Sequence, residues 1–232
     1  MNDVAMLAAP LFWLTVTLGV FELFDTASKR SGRHPLCHPV LWSTPALIGL
    51  LLVTGTPYAV YKAATMPLSF LLGPAVVGLA VPIWAERARI RRLAAPIALA
   101  LGAGAVTSIV SAVGILSLFG APREILASIA PRATTNPVAM SVAGQLGGIP
   151  ALAAVIVMFA GVSGAMTATP MLNALGIRDY RARGFAVGVT AHGIGAARAF
   201  QVNATAGALA SLGMALNAVV TASLLSIVAL LV

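Results

Sequence analysis

The sequence predicts an all-α polytopic membrane protein, with about six transmembrane helices and two broken or re-entrant segments that meet near the membrane midplane, in a single domain over residues 1–232. Three observations carry this expectation. The chain is 59% hydrophobic and only 9% charged, with a mean hydropathy of +0.98, whereas a soluble domain of this length needs far more polar surface. Apolar runs recur at close to the roughly 20 residues that a helix needs to cross a bilayer. The basic residues collect in short loops between those runs.

Hydropathy places the spans at 7–27, 40–56, 66–84, 93–119, 148–174 and 205–231. The first run follows "MNDVAM", which lacks a basic n-region, so it is expected as a retained helix rather than a cleaved signal peptide. Lys29, Arg30 and Arg33 follow the first span; Arg87, Arg89, Arg91 and Arg92 follow the third; Arg178, Arg181 and Arg183 follow the fifth. Ten of the fourteen Lys and Arg lie in these three loops, the asymmetry that orients membrane proteins. The net charge of +8 therefore speaks to topology; nucleic-acid binding calls for a basic stripe or tail that is not there.

With all three loops on the cytoplasmic face, the chain starts outside and crosses an even number of times between one loop and the next. The spans 93–119 and 148–174 already supply two crossings, so 124–147 has to enter from the outside and return. The segment 184–200 then begins at the cytoplasmic face. Both are too polar and too rich in Gly and Pro for lipid-facing helices. Non-helical backbone at that depth survives only inside protein or beside a wet cavity, and paired interrupted segments point to a transporter's binding site. A weak self-similarity between 94–119 and 206–231, each preceded by a Gly-rich element, fits a duplicated origin and equally a shared Ala/Leu/Ser composition.

The first interrupted segment, "PRATTNPVAMSVAGQLGGIP", offers Thr134, Thr135 and Asn136 just before Pro137. Asn136 is expected to cap a helix with Pro137 at its first position, aiming the helix N-terminus at whatever sits beside Thr134, an arrangement suited to an anion. Arg132 has two readings, a bidentate carboxylate ligand or an interfacial side chain that snorkels to headgroups. Gly144, Gly147 and Gly148 serve either close packing or an unwound stretch. The second segment, "TAHGIGAARAF", carries His192 and Arg198 among Gly193 and Gly195, followed by Gln201 and Asn203. Ionisable residues at membrane depth are costly, and they mark function by default. The bland alternative makes Arg198 a helix-end cap. His192 either couples protons or bonds a neighbouring helix. Glu22 and Asp25 are expected to pair with Lys29 or Arg30. "HPLCHP" groups His34, Cys37 and His38 without the four ligands of a closed zinc site, so no metal is expected, and the single Cys37 permits no intrachain disulfide. No hydrolase elbow, phosphate loop or dinucleotide fingerprint is present, so the chain is not expected to be an enzyme.

"APREILASIAPRATTNPVAMSVAGQLGGIPALAAV" followed by "RGFAVGVTAHGIGAARAF" resembles the LrgB/CidB family, as does "LLGPAVVGLAVPIW" upstream. The resemblance implies one of two activities: antiholin-like modulation of murein hydrolase export and lysis with a small holin-like membrane subunit, or, as in the related plastid glycolate/glycerate translocator, movement of small carboxylates such as glycolate, glycerate, pyruvate or lactate. Arg132 matches the family's basic residue after proline. Thr135, Asn136 and Pro137 meet its Thr-Thr-Pro motif with one change. His192, Gly195, Ala197 and Arg198 meet its SHxxGTAR block, with Ala196 in place of threonine, and Gln201 stands where an acid is frequent.

The leading expectation is a carrier of small monocarboxylates in the bacterial cytoplasmic membrane. Arg132, Thr134, Thr135, Asn136, Pro137, His192, Gly193, Gly195 and Arg198 line its site; Gly147, Gly148, Gln201 and Asn203 are secondary; the coupling ion is a proton or sodium, without a cofactor. The rival is an interaction protein working with the holin-like subunit. A homodimer in contact with lipid is expected from small-residue faces around Gly102 and Gly104.

Overall fold

Long apolar stretches without internal breakers should form single helices, and the computed structural model follows that rule. It describes residues 3–32, 34, 37–78 and 80–231, and among them every regular element is helical. In chain order these are α1 (Asp3–Arg30), α2 (Pro39–Thr54), α3 (Tyr58–Ala64), α4 (Met66–Gly78), α5 (Ala80–Ala85), α6 (Arg87–Arg92), α7 (Ala94–Leu118), α8 (Arg123–Ile129), α9 (Asn136–Gln145), α10 (Pro150–Ala174), α11 (Tyr180–Val202) and α12 (Ala204–Leu231). Arg33 of the first basic loop, and Pro35 and Leu36 of the His34–His38 stretch, lie outside the described residues.

Four stretches, Pro10–Arg30, Ala94–Leu118, Pro150–Ala174 and Ala204–Ala229, are long and apolar enough to cross a membrane. They coincide with four of the six expected spans, and the chain is a multi-pass membrane protein. The other two expected spans are covered by shorter described helices. Residues 40–56 give the 16-residue α2, about 24 Å long, and within 66–84 the described residues form α4 and α5, with Leu79 between them outside the described residues. Pro45 and Pro74 lie inside α2 and α4, each removing one backbone donor without ending its helix.

The chain divides into two compact units, residues 1–80 and 81–232. In the first, α1 packs on α2 and α3. Trp13 is buried and meets the Tyr61 ring edge-on at 5.7 Å, while the Thr17 and Tyr61 hydroxyls lie 3.1 Å apart. Lys29 reaches Asp25 at 2.6 Å and Glu22 at 3.6 Å, the pairing expected for those acids. In the second unit α12 is central, packed against α11 most extensively and also against α7 and α9. Leu209, Ser211, Asn217 and Thr221, all on α12, are fully buried. A Cβ at Gly104 would lie 2.9 Å from Val189, so that glycine lets α7 approach α11 within the chain, a use other than the expected dimer face. Nothing lies within 4 Å of the corresponding point at Gly102.

Candidate functional site

Both interrupted segments are broken, and each break has a local cause. In α11 the backbone at His192 takes φ 39°, ψ −132°, a conformation outside any helix. A Cβ built on Gly195 would lie 2.8 Å from Val187, eight residues earlier, whereas residues so spaced in a straight helix are about 12 Å apart. The chain therefore reverses at His192. Its two arms form a hairpin whose tip is Ala191, His192 and Gly193. The arms are rich in small residues because three helices approach to backbone contact: Gly184 lies against Ala206, Gly188 against Ala210, and Gly207 against the Phe200 ring.

In the first segment the break lies between α8 and α9. Turn bonds run from Arg132 N–H to Ile129 O and from Thr134 N–H to Pro131 O, each 3.0 Å. Thr134 is buried, and its hydroxyl donates to Pro131 O at 2.8 Å. The cap differs from expectation by one residue. Thr135 O accepts the Ala139 N–H, so Thr135 is the N-cap, without a side-chain bond, and α9 starts at Asn136 with Pro137 second. Asn136 and Pro137 are exposed. Gly147, at φ 77°, ends α9 in a turn that L residues rarely adopt. Gly148 presses against Ser128, whose hydroxyl accepts the Ile149 N–H at 2.8 Å. These two glycines thus serve a turn and a close contact.

The segments approach α12 from opposite ends. The α11 hairpin starts beside Ala206, near the first turn of α12, while Val142 of α9 packs with Leu225 and Ala222 near its last turns. The tips meet at Asn217, halfway along α12. Its amide donates to Ala133 O in the first tip at 2.9 Å and to Val189 O in the second at 3.1 Å, and its own oxygen accepts from Thr221 at 3.1 Å. This residue escapes sequence reasoning based on motifs. The signal that finds it is a lone amide inside a 28-residue apolar helix, where polar side chains are expensive.

His192 is buried, and its Nε2–H donates to Val157 O of α10 at 2.9 Å, which leaves Nδ1 the acceptor in the neutral ring. Gly161 makes room for the imidazole, since a Cβ there would lie 2.5 Å from it. Gly193 is exposed near Met214, and Gly195 sits where the arms touch. Arg198 donates to Gln201 Oε1 at 3.3 Å and lines a cleft with Thr169, Tyr180 and Arg183. Asn203 caps α12, its Oδ1 accepting the N–H groups of Thr205 and Ala206 at 2.9 and 3.2 Å.

Arg132 and Arg198 lie at different levels. Arg132 adjoins the tip held by Asn217, whereas Arg198 lies beside Ala206, eleven positions and about 16 Å earlier on α12. Arg132 is half-buried, and its Nε has no hydrogen-bond partner among the described residues. Among the described residues no three His, Cys, Asp or Glu side chains gather as metal ligands would. The arrangement is thus a pair of opposed re-entrant elements with a buried amide at their meeting point and a basic cleft toward one end.

No solved structure matches the chain. Among curated relatives, protein YwbG of Bacillus subtilis, uncharacterised, is 31% identical over 88% of this chain and 94% of its own length. An uncharacterised protein of Haemophilus influenzae is 32% identical over 92% of this chain and 88% of its own. The holin-like protein CidB of Staphylococcus aureus is 26% identical over 100% of this chain and 99% of its own. The profile of the LrgB-like family matches residues 17–231, and the chain belongs to that family.

Proposed function

We propose that this protein is a non-enzymatic carrier of small monocarboxylates, of glycolate, glycerate, pyruvate or lactate type, in the bacterial cytoplasmic membrane. The observation that carries the reading is the meeting of two re-entrant segments from opposite ends of α12 at the buried Asn217. Irregular backbone held deep in a membrane protein is the architecture with which carriers bind at the midplane. Arg198 and Arg183 in one cleft add positive charge suited to an anion. His192, buried at the hairpin tip, is the group for proton coupling. Proteoliposomes containing only the purified chain should take up labelled glycolate, pyruvate or lactate saturably and competitively, at a rate that differs between two pH values. His192→Ala should flatten that difference. Absence of saturable uptake of all of these acids rejects the carrier.

A second reading rests on the relatives named holin-like. In it the protein modulates murein hydrolase export and lysis together with a small holin-like membrane subunit. Uptake that requires co-reconstitution of such a subunit, or lysis control that persists when Arg198 is replaced, favours this reading.

A further inference from the structure

The helices α7 and α11 touch at Gly104 and Val189, where a Cβ on the glycine would lie 2.9 Å from the valine. Toward the start of both helices they stand apart. The space is a groove of about 190 Å³, walled by Pro96 and Ala100 of α7 and Ala182 of α11, with Phe185 and Leu209 of the buried core at its floor. Apolar cavities of about 150 Å³ take up a benzene-sized guest, so several carbons of a hydrocarbon chain fit here. Leu93 and Ala100, both on the wall, are seven positions apart, about 10 Å along the first two turns of a helix long and apolar enough to cross a membrane. The mouth is basic. Leu93 and Arg181 also line a wider pocket of about 480 Å³, which Ala88 and Arg92 complete. Arg92 and Arg181 come from different basic loops, and the fold brings both to one lip. Asp179 engages Arg181 through both carboxylate oxygens, so Arg92 is the principal cation there.

We infer that the groove and its lip seat one anionic glycerophospholipid, such as phosphatidylglycerol, with an acyl chain between α7 and α11 and the phosphate at Arg92. The two halves call for an amphiphile: a free phosphate has no use for the apolar groove, and a neutral lipid has none for the arginines. Basic pockets between membrane helices suit anionic headgroups. The site is separate from the α11 tip and Asn217, and it stands under the carrier and the holin-like reading alike. The competing account has Arg92 and Arg181 fix topology and draw anionic lipid diffusely. Space separates the two accounts: diffuse attraction follows charge alone, whereas a seat also needs the groove open.

The test is native mass spectrometry of the full chain from detergent, offered equal amounts of phosphatidylglycerol and phosphatidylcholine with the same acyl chains, beside thermal unfolding with each lipid. One phosphatidylglycerol should be retained per chain, about tenfold over phosphatidylcholine, and it should raise the unfolding temperature. Arg92→Gln should lower retention about fivefold, the factor for one arginine near a headgroup. Arg123→Gln, the same charge change beyond the far end of α7, should leave retention unaltered. Ala100→Trp fills the groove with both arginines in place and should abolish retention, whereas Leu99→Trp, at the neighbouring exposed position outside the groove, should not. Should Ala100→Trp fail to fold, Ala182→Leu narrows the same space from α11. Equal retention of the two lipids, wild-type retention in the folded groove-filling variant, or the same loss in Arg92→Gln and Arg123→Gln overturns the site. So does displacement of the lipid by millimolar inorganic phosphate, which would leave the groove without a role.

Discussion

Residues 123–145 and residues 180–202 both turn back midway along α12, yet they do so by different means. The first break is an open turn with a proline and a helix start on its far side; its backbone bonds are local, from Arg132 and Thr134 to carbonyls three residues earlier, beside the long-range bond from Asn217 to Ala133 O. The second has no intervening loop. One residue, His192, reverses the chain, and the arms then pack so closely that glycine is required at Gly184 and Gly188. A turn built from local bonds tolerates side-chain change, while a hairpin built from backbone contact does not. The difference teaches where each segment is vulnerable: the first at its carbonyls, the second at its glycines and its tip.

The largest effect follows from that contrast. Gly188→Val puts a branched side chain where only a hydrogen fits against the Ala210 backbone, and backbone cannot rotate away as a side chain can. Monodisperse protein should be lost on size-exclusion in detergent. In the first segment, Gly147→Ala meets open space and costs only the positive φ, about 1 kcal/mol. Comparable folding of the two variants would break the distinction.

Asn217 is next, because its side chain binds both segments, at Ala133 O and at Val189 O. Asn217→Leu leaves Ala133 O and Val189 O without the amide and deprives the Thr221 hydroxyl of its acceptor. With about 1–3 kcal/mol for each buried group left unsatisfied, partly relieved by relaxation, a loss of about 2–4 kcal/mol is expected. Thermal unfolding in one detergent measures it, and a loss below about 1 kcal/mol would show that the tips hold together without the amide.

A functional asymmetry should accompany the structural one. Arg198→Gln is expected to weaken carboxylate affinity by about 30-fold, near 2 kcal/mol, with Arg198→Lys a partial rescue, because an ammonium lacks the planar two-point grip. Arg132→Gln, about 16 Å away along α12, should cost severalfold less. Isothermal titration with glycolate checks the order, and equal losses would return Arg132 to the same site.

The sequence made much of this legible. Parity of the basic loops required one segment, 124–147, to enter and return, and breaker residues marked both it and 184–200. The tip at His192 was flagged by its glycine neighbours. Two features were hidden for physical reasons. Arg183 belongs to a run of basic residues whose charge topology already explains, so its bonds from the first turn of α11 to Asn173 Oδ1 and Ile177 O have no separate signature. Asn217 is one amide without a motif, and only the fold shows that it faces two carbonyls from distant stretches.

The smallest effect tests the tip itself, and it reverses an ordinary rule. Within helices, alanine is more stabilising than glycine by roughly 1 kcal/mol. At His192 the backbone is at φ 39°, ψ −132°, where an L side chain costs about 1–3 kcal/mol and glycine almost nothing. Both His192→Ala and His192→Gly lose the bond to Val157 O, worth about 0.5–1.5 kcal/mol, and both leave the same space beside Gly161. Only the glycine variant relieves the backbone. His192→Gly should therefore unfold within about 1 kcal/mol of wild type, with His192→Ala less stable than His192→Gly by about 1 kcal/mol. Thermal unfolding of the three proteins in the same detergent decides the order. Alanine equal to or above glycine would mean that residue 192 is helical, that α11 runs straight through, and that the second re-entrant segment does not exist.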